Sequence, residues 1–426
     1  MSISFVLVLV LILGFLVSRI VENLGLARPG RSGVEYLALG VLLGPRVSNF
    51  ITETTVATLT PFLSVVLGVV GFRMGLVLRM PGLPGLSPEN GQSPRRYAIP
   101  GIVAGLFVGA AVTGLTLIAV DLLALDIDRP QWFAIELGAI AMTANETSVR
   151  AIASRLGARG PVSSLIASMA TSTNVMALLA FGAALSVARA SSGAGPSGVE
   201  WFLVSVGIGL GQGLLYHLFV SKNEGEGSQF LAVVGVLVFG SGVAYALELS
   251  PLFVTILGGL VVGAVLDPAD QLGRVIERLE MPLEIVLLFS AGVLLEPLEG
   301  LGWALVLAFP IARLAAFGLG GAIGVRVVRK LPKIRGSGNA LMGLGILTVA
   351  MAVNFALVNR EAASLVTNAV IFGLLLTDVL AVPALRQVLA DAGELHTWHA
   401  PGDTIPPSDT IPPGDTPPQT SPSRRE

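Results

Sequence analysis

The sequence predicts an all-α polytopic membrane protein with about 13 transmembrane helices in two inverted repeats. Three observations lead there. The chain is 53% hydrophobic and only 13% charged, with a mean hydropathy of +0.80, whereas soluble domains carry about 25% charged residues. Apolar runs of roughly 17–25 residues recur from end to end, each able to cross a hydrocarbon core of roughly 30 Å. A β-barrel would read as short alternating strands instead. The third observation is that basic residues segregate to alternate loops.

Taken in order, the expected spans are 3–18, 33–46, 55–79, 98–121, 131–156, 161–189 and 200–220, then 228–248, 251–266, 281–297, 301–328, 339–358 and 362–388. The first run has no basic residue before it and no small-residue cleavage site after it; Arg19, Arg28 and Arg31 follow it. It therefore reads as a retained helix and not as a cleaved signal. One set of alternate loops holds 18 basic residues, including Arg73, Arg155, Arg274 and Arg326, while the other holds 4, namely Arg46, Arg129, Arg189 and Arg360. The positive-inside rule then places the N-terminus outside and the C-terminus in the cytoplasm. From His396 the chain becomes a degenerate Pro/Asp/Thr repeat, the composition of a disordered cytoplasmic tail.

GVEYLALGVLLGP (33–45) and SPLFVTILGGLVVGAVL (250–266) are both short, glycine-interrupted spans followed by two longer ones. An odd offset between them gives opposite orientations, the trace of inverted repeats in a secondary transporter. Several other classes are excluded. With no cysteine there is no disulfide or thiolate metal site, and His217, His396 and His399 lack metal-ligand spacing. No phosphate-cradling glycine loop and no nucleophile–base set are present, so neither an enzyme, a cofactor nor a nucleic-acid partner is expected.

An ionised side chain at the bilayer centre costs roughly 2.5–3.5 kcal/mol, so it persists only with a partner, a wet cavity or a function. GAIAMTANETSVRAIAS (138–154) puts Thr143, Asn145, Glu146 and Arg150 mid-span. One reading is an unwound elbow whose exposed backbone ends and polar side chains contact an ion. The other is an unbroken helix with Glu146 paired to Arg150 one turn away. The next span carries Ser163, Ser164, Ser168, Thr171, Ser172, Thr173 and Asn174, hydroxyls and an amide that suit either ion ligation or interhelical bonding. Arg313 lies far from any expected membrane surface and needs a permanent acceptor, for which Glu146, broken-helix carbonyls and Asp378 are the options. Glu136 and His217 lie nearer span ends and read as solvated, and Asp378 as structural.

These landmarks resemble the monovalent cation/proton antiporter superfamily, the bacterial sodium/proton and potassium-efflux type exchangers, over about Gly33 to Leu389. LGVLLGP (39–45) is similar to the family's G-x-L-L-G-P helix, VVGFRMGLVL (69–78) to its F-x-x-G-L-E-L segment, and AMTANETSVRAIASRLG (141–157) to its T-S-P or T-D-P broken helix. TSTNVMALLAFG (171–182) resembles the N-D-x-x-A-L helix and MPLEIVLLFSAGVLLEP (281–297) the P-x-F-F-x-x-x-G-L helix, with Arg313 at the family's intramembrane Lys or Arg. The resemblance implies crossed broken helices and a homodimer within a transmembrane domain over residues 1–395. Core helices at about 98–189 and 301–388 would slide against dimerisation helices at about 3–79 and 228–297, with 200–220 as linker and 396–426 as tail. It further implies a multi-pass protein of a bacterial inner membrane, with a monovalent cation and protons as partners.

The sequence also departs from the pattern. Val77 stands where a Glu is usual, Asn174 where the family carries an Asp, and ILTVAMAVN (346–354) where its charged second broken helix lies. The expected ion and proton site is therefore Glu146 with Asn145, Thr143, Thr173, Asn174 and Ser172, and Arg313 compensating charge. Two alternatives stay open: the same fold moving another solute without proton coupling, and a non-transporting ligand-binding relative.

Overall fold

The computed structural model describes residues 33–79, 94–158, 160–189, 196–220, 226–265, 271–298, 300–328, 334, 336–360 and 362–395. The expected first span at 3–18 and the tail at 396–426 lie outside the described residues. Within them the regular structure is entirely helical: α1 Val34–Leu43, α2 Glu53–Arg79, α3 Pro94–Leu122, α4 Pro130–Ala141, α5 Glu146–Arg155, α6 Pro161–Ala188 and α7 Gly198–Val220. There follow α8 Glu226–Ala246, α9 Pro251–Val265, α10 Gln271–Val293, α11 Gly302–Val327, a 3₁₀ turn Asn339–Leu341, α12 Ile346–Val358 and α13 Ala363–Asp391. Six of these, α2, α3, α6, α7, α11 and α13, are long and apolar enough to cross a membrane by length and composition. Leu106, Ile118, Leu203, Leu214, Ile311 and Leu319 are exposed on their outer faces. Lipid solvates such faces as readily as a protein core would.

Two elements depart from continuous spans. The expected span 131–156 is two helices, α4 and α5, separated by Met142–Asn145. The expected span 339–358 is a 3₁₀ turn, a stretch at 342–345 without regular structure and then α12. ILTVAMAVN is therefore unbroken helix, and the interruption falls just before it, at Met342-Gly343-Leu344-Gly345.

Packing sorts the helices into two groups. In one, α2 lies along α9 and α1 along α10, with α7 and α8 flanking α9. Glycines allow the backbones to touch: a Cβ on Gly259 would come 2.2 Å from the Phe72 carbonyl oxygen, and one on Gly292 2.2 Å from that of Leu37. In the other, α3 packs on α11, α6 and α4, while α13 packs on α11 and α12. Where α10 and α2 meet α12, and α9 and α7 meet α6, the groups share a narrower seam. Asn354 donates to Ser250 Oγ across it at 3.1 Å, and Asn368 to the Glu296 carbonyl at 2.7 Å. The most buried long helix is α6. At its start, the N–H groups of Val162 and Ser163 donate to Glu394 at 2.6 and 2.8 Å, so a carboxylate covers donors that the first turn leaves free.

Candidate functional site: two interrupted helices that cross

Interrupting a helix inside a membrane frees N–H groups on one side of the break and carbonyls on the other, and each must find a partner. In the first break Asn145 is the N-cap of α5, its Oδ1 accepting from Ser148 N–H at 3.0 Å. The freed N–H of Ala144 donates to Asn174 Oδ1 on α6 at 2.8 Å. That of Asn145 donates to the Gly343 carbonyl at 2.9 Å, which belongs to the second break. The two interruptions therefore cross in contact, and Gly343 and Gly345 permit it. A Cβ on Gly345 would come 3.1 Å from Asn145 Cγ. The amide of Asn145 completes the joint by donating to the Leu344 carbonyl at 3.0 Å.

Arg313 closes the remaining accounts. It is fully buried, and its guanidinium donates to four carbonyls: Ala141 through Nε at 3.0 Å, Thr143 and Met342 at short range, and Gly343 at 3.4 Å. Two of these belong to the first interrupted helix and two to the second. A planar fork of five donors suits such a set better than an ammonium would. Phe317, one turn on, lies under the guanidinium carbon at 4.7 Å from its ring centre. Of the three expected acceptors for Arg313, the broken-helix carbonyls are the ones used; neither Glu146 nor Asp378 touches it.

A chain of hydroxyls links the breaks a second time. Gly345 N–H donates to Thr348 Oγ1 at 3.4 Å, Thr348 and Thr143 lie 2.6 Å apart, and Thr143 donates to the Ile140 carbonyl at 2.8 Å. Each hydroxyl has one proton, so Thr348 donates to Thr143. Thr377 on α13 takes the Leu344 N–H at 3.2 Å.

Glu146 opens α5, and its carboxylate is 2.6 Å from Arg150 with 12% of the side chain exposed. The helix is broken, so the unbroken-helix reading is corrected, but the i,i+4 pair that went with it does form. Arg150 also reaches Thr171 Oγ1 at 3.4 Å. The structure brings Thr143, Asn145, Asn174 and Arg313 together at the crossing, with Glu146 beside it. Ser172 and Thr173 do not join them. Successive helical residues point about 100° apart; Ser172 faces Gly101 and Thr173 faces Gly105 on α3, and both hydroxyls bond back to their own helix at 2.9–3.0 Å.

Sequence reasoning missed Thr348 and Thr377, lone threonines in apolar runs with no local signal. It also misplaced Glu136, which is not solvated but 1% exposed within α4. It lies six positions after Pro130, enough to carry it inside the fold. His217 is exposed, and Asp378 is half-buried. Together with Asn145, Gly345 and Glu284, Asp378 lines a cavity of about 190 Å³ beside the crossing.

No protein-family model matches the chain, and no curated protein matches it in sequence. Among solved structures it is similar to the sodium proton antiporter MjNhaP1 from Methanocaldococcus jannaschii at pH 8, with a TM-score of 0.60 and 14% identity. That likeness spans 92% of this chain and 97% of the antiporter. The chain is a multi-pass membrane protein with the fold of that antiporter.

Proposed function

We propose that the protein is a secondary active transporter exchanging a monovalent cation, Na⁺ or K⁺, for protons by alternating access. The observation that carries this reading is the crossing of two interrupted helices inside the membrane region. Broken ends there are a general device for handling ions away from water. Similarity of fold to a sodium proton antiporter supports the same direction.

In this reading Glu146 takes either a proton or a cation. One carboxylate cannot hold both, and that competition is what couples the two fluxes. Arg150, at 2.6 Å, supplies the balancing charge when the acid is empty. The cation would draw on the oxygen lone pairs that Thr143 and Asn174 keep after their hydrogen bonds are made, whereas Asn145 Oδ1 already accepts from Thr147 and Ser148 and acts as the cap that holds the elbow. The cavity at Asn145 and Asp378 gives access from the α5 end. The group containing α3–α6 and α11–α13 would move against the group containing α1, α2 and α8–α10, which would form the interface of a homodimer. Reconstituted vesicles with an internal pH dye provide the test. The parent should acidify or alkalise on a Na⁺ or K⁺ step, and Glu146→Gln should lose the response. A variant as fast as the parent removes Glu146 as the carrier.

A second reading, a non-transporting membrane protein of the same fold, is favoured by one observation. The N–H groups of Ala144, Asn145, Leu344 and Gly345 and the carbonyls of Ala141, Thr143, Met342, Gly343 and Leu344 already have protein partners. Absence of proton flux from parent vesicles with either cation would select it.

A further inference from the structure

On the side of the crossing where α4 begins lies a larger cavity of about 800 Å³, between α2, α4, α6, α8 and α12. Thr60, Phe133, Glu136, Leu185, Tyr245 and Asn359 are among its walls. Glu136 is the anomaly. It is 1% exposed, and no described group hydrogen-bonds its Oε2. One turn before it, Phe133 is equally buried and meets Phe355 of α12 edge-on, with ring centres 6.4 Å apart. Glu136 therefore sits against an apolar wall.

The charged groups around this cavity have other partners or stand at its mouth, and none is bonded to Glu136. Arg129, just before α4, donates to the Ala188 carbonyl at 2.5 Å. Arg189, at the end of α6, pairs with Glu248 at 3.4 Å and lies 4.0 Å over the Trp201 ring; its Nη1 is buried and makes no described hydrogen bond, to Glu136 or to any other group. Asp128 and Arg360 are exposed, Tyr245 comes from α8, and α2 contributes only Ala57 and Thr60. An ionised carboxylate buried with neither donor nor cation costs several kcal/mol. Whatever balances Glu136 must therefore come through the cavity, and what fits against a lone carboxyl oxygen is a proton or a small cation. Glu136 lies seven residues before Thr143, about 10 Å along the helix axis, between the cavity and the crossing.

We propose that Glu136 is a second ion-binding carboxyl, holding a proton or a monovalent cation in competition and serving the α4 side of the membrane. Its part in exchange rests on the transport reading above; its occupancy does not. Two measurements on the full-length protein in lipid separate them. Dicyclohexylcarbodiimide attacks protonated carboxyls in apolar settings and leaves a stable N-acylurea, which peptide mass spectrometry can locate. Labelling at Glu136 is expected in N-methylglucamine buffer, with loss on adding NaCl or KCl and on raising the pH. No label at Glu136 at any pH, or a label indifferent to both cations and to pH, overturns the site. In the vesicle assay Glu136→Gln should lose cation-driven proton exchange and Glu136→Asp should retain part of it. Exchange by Glu136→Gln at the parent rate overturns its role as carrier. If the parent itself exchanges nothing while cations still protect Glu136 from the label, the transport reading falls and the binding site stands.

Discussion

The two interruptions perform the same task with opposite chemistry. Met142–Asn145 brings side chains: Asn145 caps its own half-helix and donates across the gap, while Thr143 passes a hydrogen bond onward. Met342–Gly345 brings no polar side chain. It offers bare carbonyls, and two glycines let the partner chain come within van der Waals reach. One break is a set of tools and the other a surface on which they act. The lesson is that a crossing inside a membrane needs only one polar partner, provided that the other is thin.

The largest effect should come from the residue both breaks share. Arg313→Met removes a donor from four carbonyls at once; Gly343 keeps the Asn145 N–H, so three are left unsatisfied, and at about 1–3 kcal/mol each the loss is about 3 kcal/mol or more. Thermal unfolding in detergent, followed by size exclusion, should show it plainly. Arg313→Lys keeps the charge without the fork and should fall between the two. Unchanged melting of Arg313→Met would mean that the breaks are not joined here.

The next test separates tool from surface. Asn145→Ala removes a cap and a cross-break donor, about 2 kcal/mol together. Gly345→Ala forces a methyl against Asn145, about 1 kcal/mol or somewhat more. Because the crowded atoms include Asn145 Cγ and Oδ1, the double variant should lose less than the sum of the two. Strict additivity would break the comparison. The smallest effect belongs to Thr348→Val, which strands the Gly345 N–H and ends the hydroxyl chain, at about 1 kcal/mol in the same unfolding assay.

This asymmetry also explains what was legible in the sequence. The first break announced itself because Thr, Asn, Glu and Arg have no ordinary place in an apolar span. MGLG announced nothing, since glycines in membrane helices usually serve close packing, as Gly259 and Gly292 do here. Arg313 stood out as a charge without a neighbour, but its acceptors are backbone atoms from distant parts of the chain, and backbone atoms have no sequence signature. Asn174 was visible, whereas its partner, the Ala144 N–H, appears only once the helix is known to stop. Glu136 is a lone acid in WFAIELGAI, and its place near a span end predicts solvation; depth within a bundle depends on the neighbours, not on distance along the chain. Helix limits, by contrast, followed from apolar run length, and α3, α6, α9 and α11 fall within a few residues of expectation.

The guanidinium of Arg313 is carried by α11, yet it grips strands of backbone belonging to two other elements. Bending α4–α5 alone would break two of its bonds, and sliding α12 alone would break the other two. A rivet is a poor hinge. Whatever displacement opens one side of this protein and shuts the other, the three riveted elements must travel as a single block, and the give has to be found at their outer edges.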